Sequence, residues 1–445
     1  MFQFARRLSS SLRSDHTQRR LRILLVYLTG QGLVQIISLL LGLLLLRWLN
    51  VDYYAQFSVA FGFQTTLGML TDLGFAGTII ALVGTRGNDP NVVGTYIRSG
   101  RHLRNVMLSC FTPIAAIIFV FIARQHHWPV LSSTLLFISI VASIYFSGMI
   151  SYYGAPLLIR GRLTHYYRHQ LVGAAFRIGV CGILYLTHAL TAWTTSWTNA
   201  TGFLLIGLLN ARESRPFAIL PERHAPDITR QMIRYIMPNL PNIIFYGLQG
   251  QISLFLISFF GQTRSIAEVG ALGRLGQLFI LLSGFNSAVI EPYIARLRDE
   301  QVLKSIFTVL AGAICVSAII CCIGFFEPRF LLLLLGAKYA SLQRETGWLV
   351  LGSCIGYVST VIWTVCGARR WLFWTTTWVN VGTTIGAQIV FLMIFRVNTT
   401  LHVIWFGVAS SCGYLVSAVF NLFFGYCRGP RIRLQEAAPG EPVAQ

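Results

Sequence analysis

Of the 35 lysines and arginines in this 445-residue chain, all but Arg177 and Arg274 stand between long apolar runs or at their edges. Those two lie about eight residues inside a run, which at 1.5 Å per residue puts each roughly 12 Å from the nearer end. A guanidinium at such depth costs roughly 2.5 to 3.5 kcal/mol on insertion scales, so it calls for a use. If both faced a cavity they would form a cationic centre near the midplane. Such a centre suits an anionic headgroup, because a guanidinium fork takes phosphate oxygens two at a time and keeps its charge. The plainer reading of each is a carboxylate partner, a helix end, or snorkelling to the surface. Gly270, Gly273 and Gly276 surround Arg274 and would allow a neighbouring helix to approach closely.

Acids are scarce. Asp72, Glu268 and Glu291 fall near the ends of apolar runs, where a cap or an arginine partner is the simpler role and coupling to protons or sodium the more ambitious one. The first run has no acid, only Gln31 and Gln35, and the seventh carries Gln249 and Gln251. With the two arginines, these amides are the candidate substrate contacts. Pro238, Asn239, Pro241 and Asn242 predict a kink at the start of the seventh run. Tyr246, Phe255 and Phe259 along it would either pack against helices or stack on sugar rings. His165 and His169 have the i, i+4 spacing of a metal pair but no third ligand in view, so an interfacial loop is the expected setting. The nine cysteines lie in or at the ends of apolar runs and read as small hydrophobes. Neither a cofactor nor a metal is expected.

The elements that must hold these residues are membrane helices. A chain 55% hydrophobic and 11% charged leaves little for a soluble domain. Runs of about 20 residues, enough for a hydrocarbon core of roughly 30 Å, start near Ile23, Tyr54, Asn105, Leu131, His169, Trp193, Tyr235, Ile266, Lys304, Gly347, Trp371 and Leu401. Alternate gaps are rich and poor in basic residues: 26 fall on the side of both termini and 7 on the other. By the positive-inside rule both termini and the gap at 211–234 face the cytoplasm. The net charge of +20 therefore points to anionic headgroups as partners, and nucleic acid is discounted.

The expected organisation is a basic segment at 1–22, a six-helix half at 23–210, a linker at 211–234, a second six-helix half at 235–427 and a disordered tail at 428–445. The first segment sets six arginines around Phe2, Phe4, Leu8 and Leu12 and reads as an amphipathic stretch for the inner leaflet or as a frayed tail. The fold class is an all-α polytopic membrane protein with about 12 spans in two halves around a central cavity. Duplicated bundles of this kind are a recurring transporter plan.

Several short passages carry a more specific likeness. The run Leu45-Leu46-Arg47-Trp48-Leu49-Asn50-Val51-Asp52-Tyr53-Tyr54-Ala55 and the turn Asp72-Leu73-Gly74-Phe75 resemble passages around the second span of polysaccharide and oligosaccharide-lipid flippases. Phe259-Phe260-Gly261 with Val269-Gly270, and Gly336-Ala337-Lys338-Tyr339, resemble their second-half counterparts. This chain departs from the pattern with Asn50-Val51 in place of Gly-Pro and Ala55 in place of Gly. The resemblance is to the superfamily of multidrug, oligosaccharide-lipid and polysaccharide exporters, within it the flippases of the O-antigen type.

It implies a non-enzymatic flippase of the cytoplasmic membrane. Its substrate would be an isoprenoid-pyrophosphate-linked oligosaccharide moved by alternating access, and other glycan-assembly membrane proteins would be partners. A multidrug or organic-cation exporter of the same superfamily is the alternative. Drug exporters of the superfamily commonly need a buried acid, and the acid-free first run tilts the expectation toward an anionic substrate. A membrane glycosyl-transfer enzyme would need an acid or base and a sizeable outer loop, and the longest outer segment, about 326–346, is short and mostly apolar.

Overall fold

The computed structural model describes residues 15–237, 240–286, 290–295, 297, 299–369, 371 and 373–428. The basic N-terminal stretch up to residue 14, Pro238, Asn239 and the tail from residue 429 lie outside them. Every regular element among the described residues is helical.

The long apolar runs become α1 (Asp15–Trp48), α2 (Val51–Asp72), its continuation α3 (Phe75–Val83), α4 (Pro90–Gln125), α5 (Val130–Ile159), α6 (Leu163–Leu186) and α7 (Ala192–Ser214). After α8 (Pro226–Ile236) come α9 (Leu240–Gln249), α10 (Ile252–Phe260) and α11 (Thr263–Phe285). The chain continues with α12 (Glu291–Ala295), α13 (Asp299–Phe326), α14 (Pro328–Leu335), α15 (Gln343–Ala368), α16 (Trp374–Ile394) and α17 (Thr400–Arg428).

Nine helical segments among the described residues are long and apolar enough to cross a membrane, and α9 with α10 makes a tenth span bent by 47°. The remaining two of the twelve expected spans are the helices α7 and α11. Each is 23 residues long but diluted in apolar content, α7 by threonines and Asn199 and Asn210, α11 by Arg264, Glu268, Arg274 and glycines. Apolar side chains such as Ile117 on α4, Phe307 on α13 and Met393 on α16 are largely exposed, the mark of faces turned to lipid.

The chain forms two compact units, Met1–Phe259 and Phe260–Gln445. The division falls one span beyond the expected linker, because α9 packs against α2 inside the first unit. Phe255 meets Phe63 edge-on at 5.1 Å, and Phe259 meets Phe121 at 5.9 Å, so the aromatics of the seventh span serve helix packing here. A bend of the described span lies at Gly250–Gln251, and the expected kink at Pro238 and Asn239 falls outside the described residues. Pro241 instead sits in the first turn of α9, where a missing N–H costs nothing.

The departures from the flippase-like pattern have local reasons. Asn50 caps α2, its side chain accepting from the Tyr53 N–H at 2.7 Å, and Tyr54 and Ala55 are fully buried behind it. Leu73 (φ 43°) and Gly74 (φ 83°) are both left-handed and break the second span in two.

The segment 215–237 is no free linker. The Ile219 N–H donates to the Pro90 carbonyl at 3.0 Å, Arg98 to the Glu222 carbonyl at 2.9 Å, and the Tyr96 hydroxyl to Gln231 Oε1 at 3.0 Å. Met232 and Ile236 on α8 enter a core with Val83, Val93, Ile97 and Ala155, at one end of the second, third and fourth spans.

Candidate functional site

Two polar constellations are built into the apolar interior of the first unit. One centres on Arg104. The sequence places it in a gap, but α4 starts at Pro90, fifteen residues before the expected Asn105, so Arg104 lies four turns inside the helix and is only 5% exposed. One Nη meets Asp72 Oδ1 at 3.0 Å, and the other donates to the Ile144 carbonyl at 2.7 Å and to Ser147 Oγ at 3.1 Å. The Tyr152 hydroxyl adds a 3.4 Å bond to the same Asp72 oxygen. Gly148 on α5 leaves room for the guanidinium, since a Cβ there would lie 2.6 Å from Arg104 Nε. Asp72 thus takes the plainer of its two roles geometrically, as the partner of a buried arginine at the break of the second span.

The other constellation centres on Arg177, 9% exposed on α6. Its Nη1 donates to Asn199 Oδ1 at 2.9 Å, and Asn199 Nδ2 donates to Gln64 Oε1 on α2 at 3.0 Å. The guanidinium lies over the Phe203 ring at 5.2 Å, and its stem fills the space left by Gly202. Among the described residues no carboxylate lies within ion-pair distance of Arg177, and its buried Nε has no hydrogen-bond partner. The partners are neutral amides, an aromatic face and glycine, so the positive charge itself stays uncompensated in the unit. Gln64 and Asp72 are eight residues apart on α2, about 12 Å along the helix, so one helix serves both arginines.

Other candidates are placed less tellingly. Gln31 is exposed and Gln35 half-buried on α1. Gln249 and Gln251 flank the bend of the seventh span, with Gln251 Oε1 facing Gly62 of α2. In the second unit Arg274 is 7% exposed in the middle of α11. Glu268 pairs with exposed Arg264 at 3.1 Å and accepts from Thr400 at 2.5 Å, which ties α11 to the start of α17. Glu291 is exposed in the first turn of α12. His169 faces Asn210 Oδ1 at 2.9 Å and His165 faces Glu213 at 3.9 Å, so the two rings are taken up by α7. No group of three or more potential metal ligands occurs among the described residues.

Arg104, Asn199 and Gln64 are not among the site residues that the sequence suggests, for separate reasons. Arg104 sits with Arg98 and Arg101 in what reads as a basic loop, whereas a helical register of three and six residues from Arg98 would have set these side chains on one helix. Asn199 sits in a threonine-rich run, and Gln64 is an isolated amide.

No protein-family profile matches the chain, and no curated protein is significantly similar to it. Solved structures are similar in fold. An inward-facing conformation of a multidrug resistance MATE family transporter of the MOP superfamily superposes with TM-score 0.58 at 14% identity, over 88% of this chain and 93% of that one. MATE in complex with MaL6 gives 0.59 at 13% identity, over 93% and 96%. The eukaryotic MATE transporter AtDTX14 gives 0.51 at 13% identity, over 89% and 92%. At these identities the likeness is one of fold.

Proposed function

We propose that the chain is a membrane transporter that exports an amphipathic organic molecule by alternating access. The observation that carries this reading is the likeness of nearly the whole chain to transporters solved in both inward-facing and outward-facing conformations. The bend at Gly250–Gln251 suits it, because a span broken in mid-course can swing one half against the other. The reading nearest to these neighbours is a multidrug exporter.

A second reading, a flippase for an isoprenoid-pyrophosphate-linked oligosaccharide in the cytoplasmic membrane, is favoured by Arg177. A buried guanidinium held by one neutral amide and an aromatic face keeps its attraction for an incoming anion. A cationic drug would instead meet repulsion, and the half-buried Asp72 is already engaged by Arg104. Glu268 and Glu291 remain proposals for ion coupling, as do Arg274 and the four glutamines for substrate contact.

The Arg177→Gln variant separates the two. If the substrate is anionic, the variant accumulates normally in the membrane but lipid-linked sugar no longer reaches the outer leaflet, while Arg177→Lys, which keeps the charge without the fork, retains part of the activity. If the chain exports organic cations, efflux of a cationic dye by Arg177→Gln is undiminished or improved. Absence of both dye efflux and sugar export in the unmodified protein would overturn the transporter reading.

A further inference from the structure

The bond that the Ile219 N–H donates to Pro90 and those that Glu222 and Gln231 accept from Arg98 and Tyr96 tie the segment to α4 and seat α8 with Met232 and Ile236 inward. At 3.6 residues per turn, Arg230, Arg234 and Met237 then lie on the opposite side, with Ile233 on the flank next to them. The exposures agree: Ile233 is 39%, Tyr235 55% and Met237 56% exposed, and both arginines are exposed beside them. The one acid on this helix, Asp227, stands at its first turn, where it favours the helix dipole. A helix pinned on one face and bearing exposed apolar side chains between arginines on the other has the make-up of an interfacial helix. It also lies where such a helix belongs, across the ends of the second, third and fourth spans.

We infer that the outward face of α8 is a binding surface for anionic phospholipid, with Ile233 and Met237 seated at the acyl boundary and Arg230 and Arg234 on the headgroups. The surface holds whichever substrate the transporter carries. Because α8 ends three residues before α9 begins, lipid bound there anchors the entry to the bent seventh span.

The test is a photo-crosslink on the full-length protein in nanodiscs of equal phosphatidylglycerol and phosphatidylcholine. With p-benzoylphenylalanine at Ile233 or Met237, irradiation should yield protein carrying the mass of one phospholipid, with phosphatidylglycerol over-represented. The Arg230→Gln/Arg234→Gln double variant should lower that preference by about five-fold for each arginine removed. Tyr235, where the aromatic replacement is conservative, serves if either position reduces accumulation. Adducts to a second copy of the chain, no lipid adduct at any of these positions, or equal labelling of the two lipids that ignores the arginines would each overturn the inference.

Discussion

In the first unit the most extensively packed pair of helices is α5 with α7, the fourth and sixth spans; in the second it is α15 with α17, the tenth and twelfth. The two pairs hold the same places in the two sets of six. Each brings backbones close through glycine, Gly207 against Met149 in one and Gly352 against Val408 in the other. Each last span also carries a fully buried asparagine toward its end. Asn210 bonds the Ile150 carbonyl and His169, and Asn421 bonds the Trp371 carbonyl. Around this shared scaffold the chemistry differs. The first unit surrounds it with ions, Asp72–Arg104 and Arg177, whereas α16 and α17 in the second are joined by neutral pairs, Asn380–Ser417 and Gln388–Ser410. Both units nevertheless bury arginine, Arg104 and Arg177 in the first, Arg274 and Arg369 in the second, and of these, among the described residues, only Arg104 is paired with a carboxylate, so that ion pair is what sets the first unit apart.

The largest contrast should come from breaking the ion pair. Arg104→Gln leaves Asp72, whose side chain is 26% exposed, without its cation, a change worth up to about 3 kcal/mol, the low end for a broken buried pair. It should sharply reduce membrane abundance and the unfolding temperature in detergent. Adding Asp72→Asn removes the orphaned charge and should recover much of the loss. A double variant no better than the single one would show that the two charges do not stabilise each other.

Glycine-to-alanine changes sharpen the comparison without touching a charge. In the second unit a Cβ on Gly413 would lie 2.7 Å from the Thr383 carbonyl and 2.9 Å from Thr384 Cα, so the backbone of α16 must shift. Overpacking of this sort costs about 1 to 3 kcal/mol, and abundance should fall. In the first unit a Cβ on Gly202 meets the Arg177 stem at 2.4 Å, which is side chain and can swing away. Gly202→Ala should therefore spare abundance but displace the guanidinium from Asn199, reducing transport as Arg177→Gln does. Full transport by Gly202→Ala would disconnect the seating of Arg177 from the activity.

How much of this could be read from residues alone follows from the same contrast. Apolar length marks spans well, and the twelve runs correspond to helices at the expected places, with α7 and α11 recognisable even though threonine and charge dilute them. Arg177 and Arg274 stood out because they break long apolar runs. Arg104 did not, because the amino-terminal part of α4 is polar and only its contacts with α2 and α5 reveal that it is buried. The linker was legible as a basic, proline-punctuated stretch, but its docking depends on Tyr96, Arg98 and Pro90, more than a hundred residues away, and no local pattern carries that. Likewise the bend at Gly250–Gln251 lies beside two glutamines with no proline, and no local pattern announced it, while the expected break at Pro238 and Asn239 lies outside the described residues.

The smallest effect tests whether the neutral pairs of the second unit do more than fill space. Gln388 Nε2 donates to Ser410 Oγ at 2.9 Å between α16 and α17, both side chains buried. In the first unit Ser139 and Ser196 form a neutral contact of the same kind, between the fourth and sixth spans α5 and α7, at 2.6 Å. Hydrogen bonds between membrane helices average about 0.6 kcal/mol and reach about 1.7 in double-mutant cycles, because the separated helices also find partners. A cycle of Gln388→Leu and Ser410→Ala, read by thermal unfolding in detergent, should give a coupling near the lower figure, and Ser139→Ala with Ser196→Ala a similar one. Equal small values in the two units would assign these bonds to common scaffolding and leave the difference between the units to the Asp72–Arg104 ion pair. A coupling several times larger in either pair would mean that neutral bonds, not only the ions, set that unit's stability.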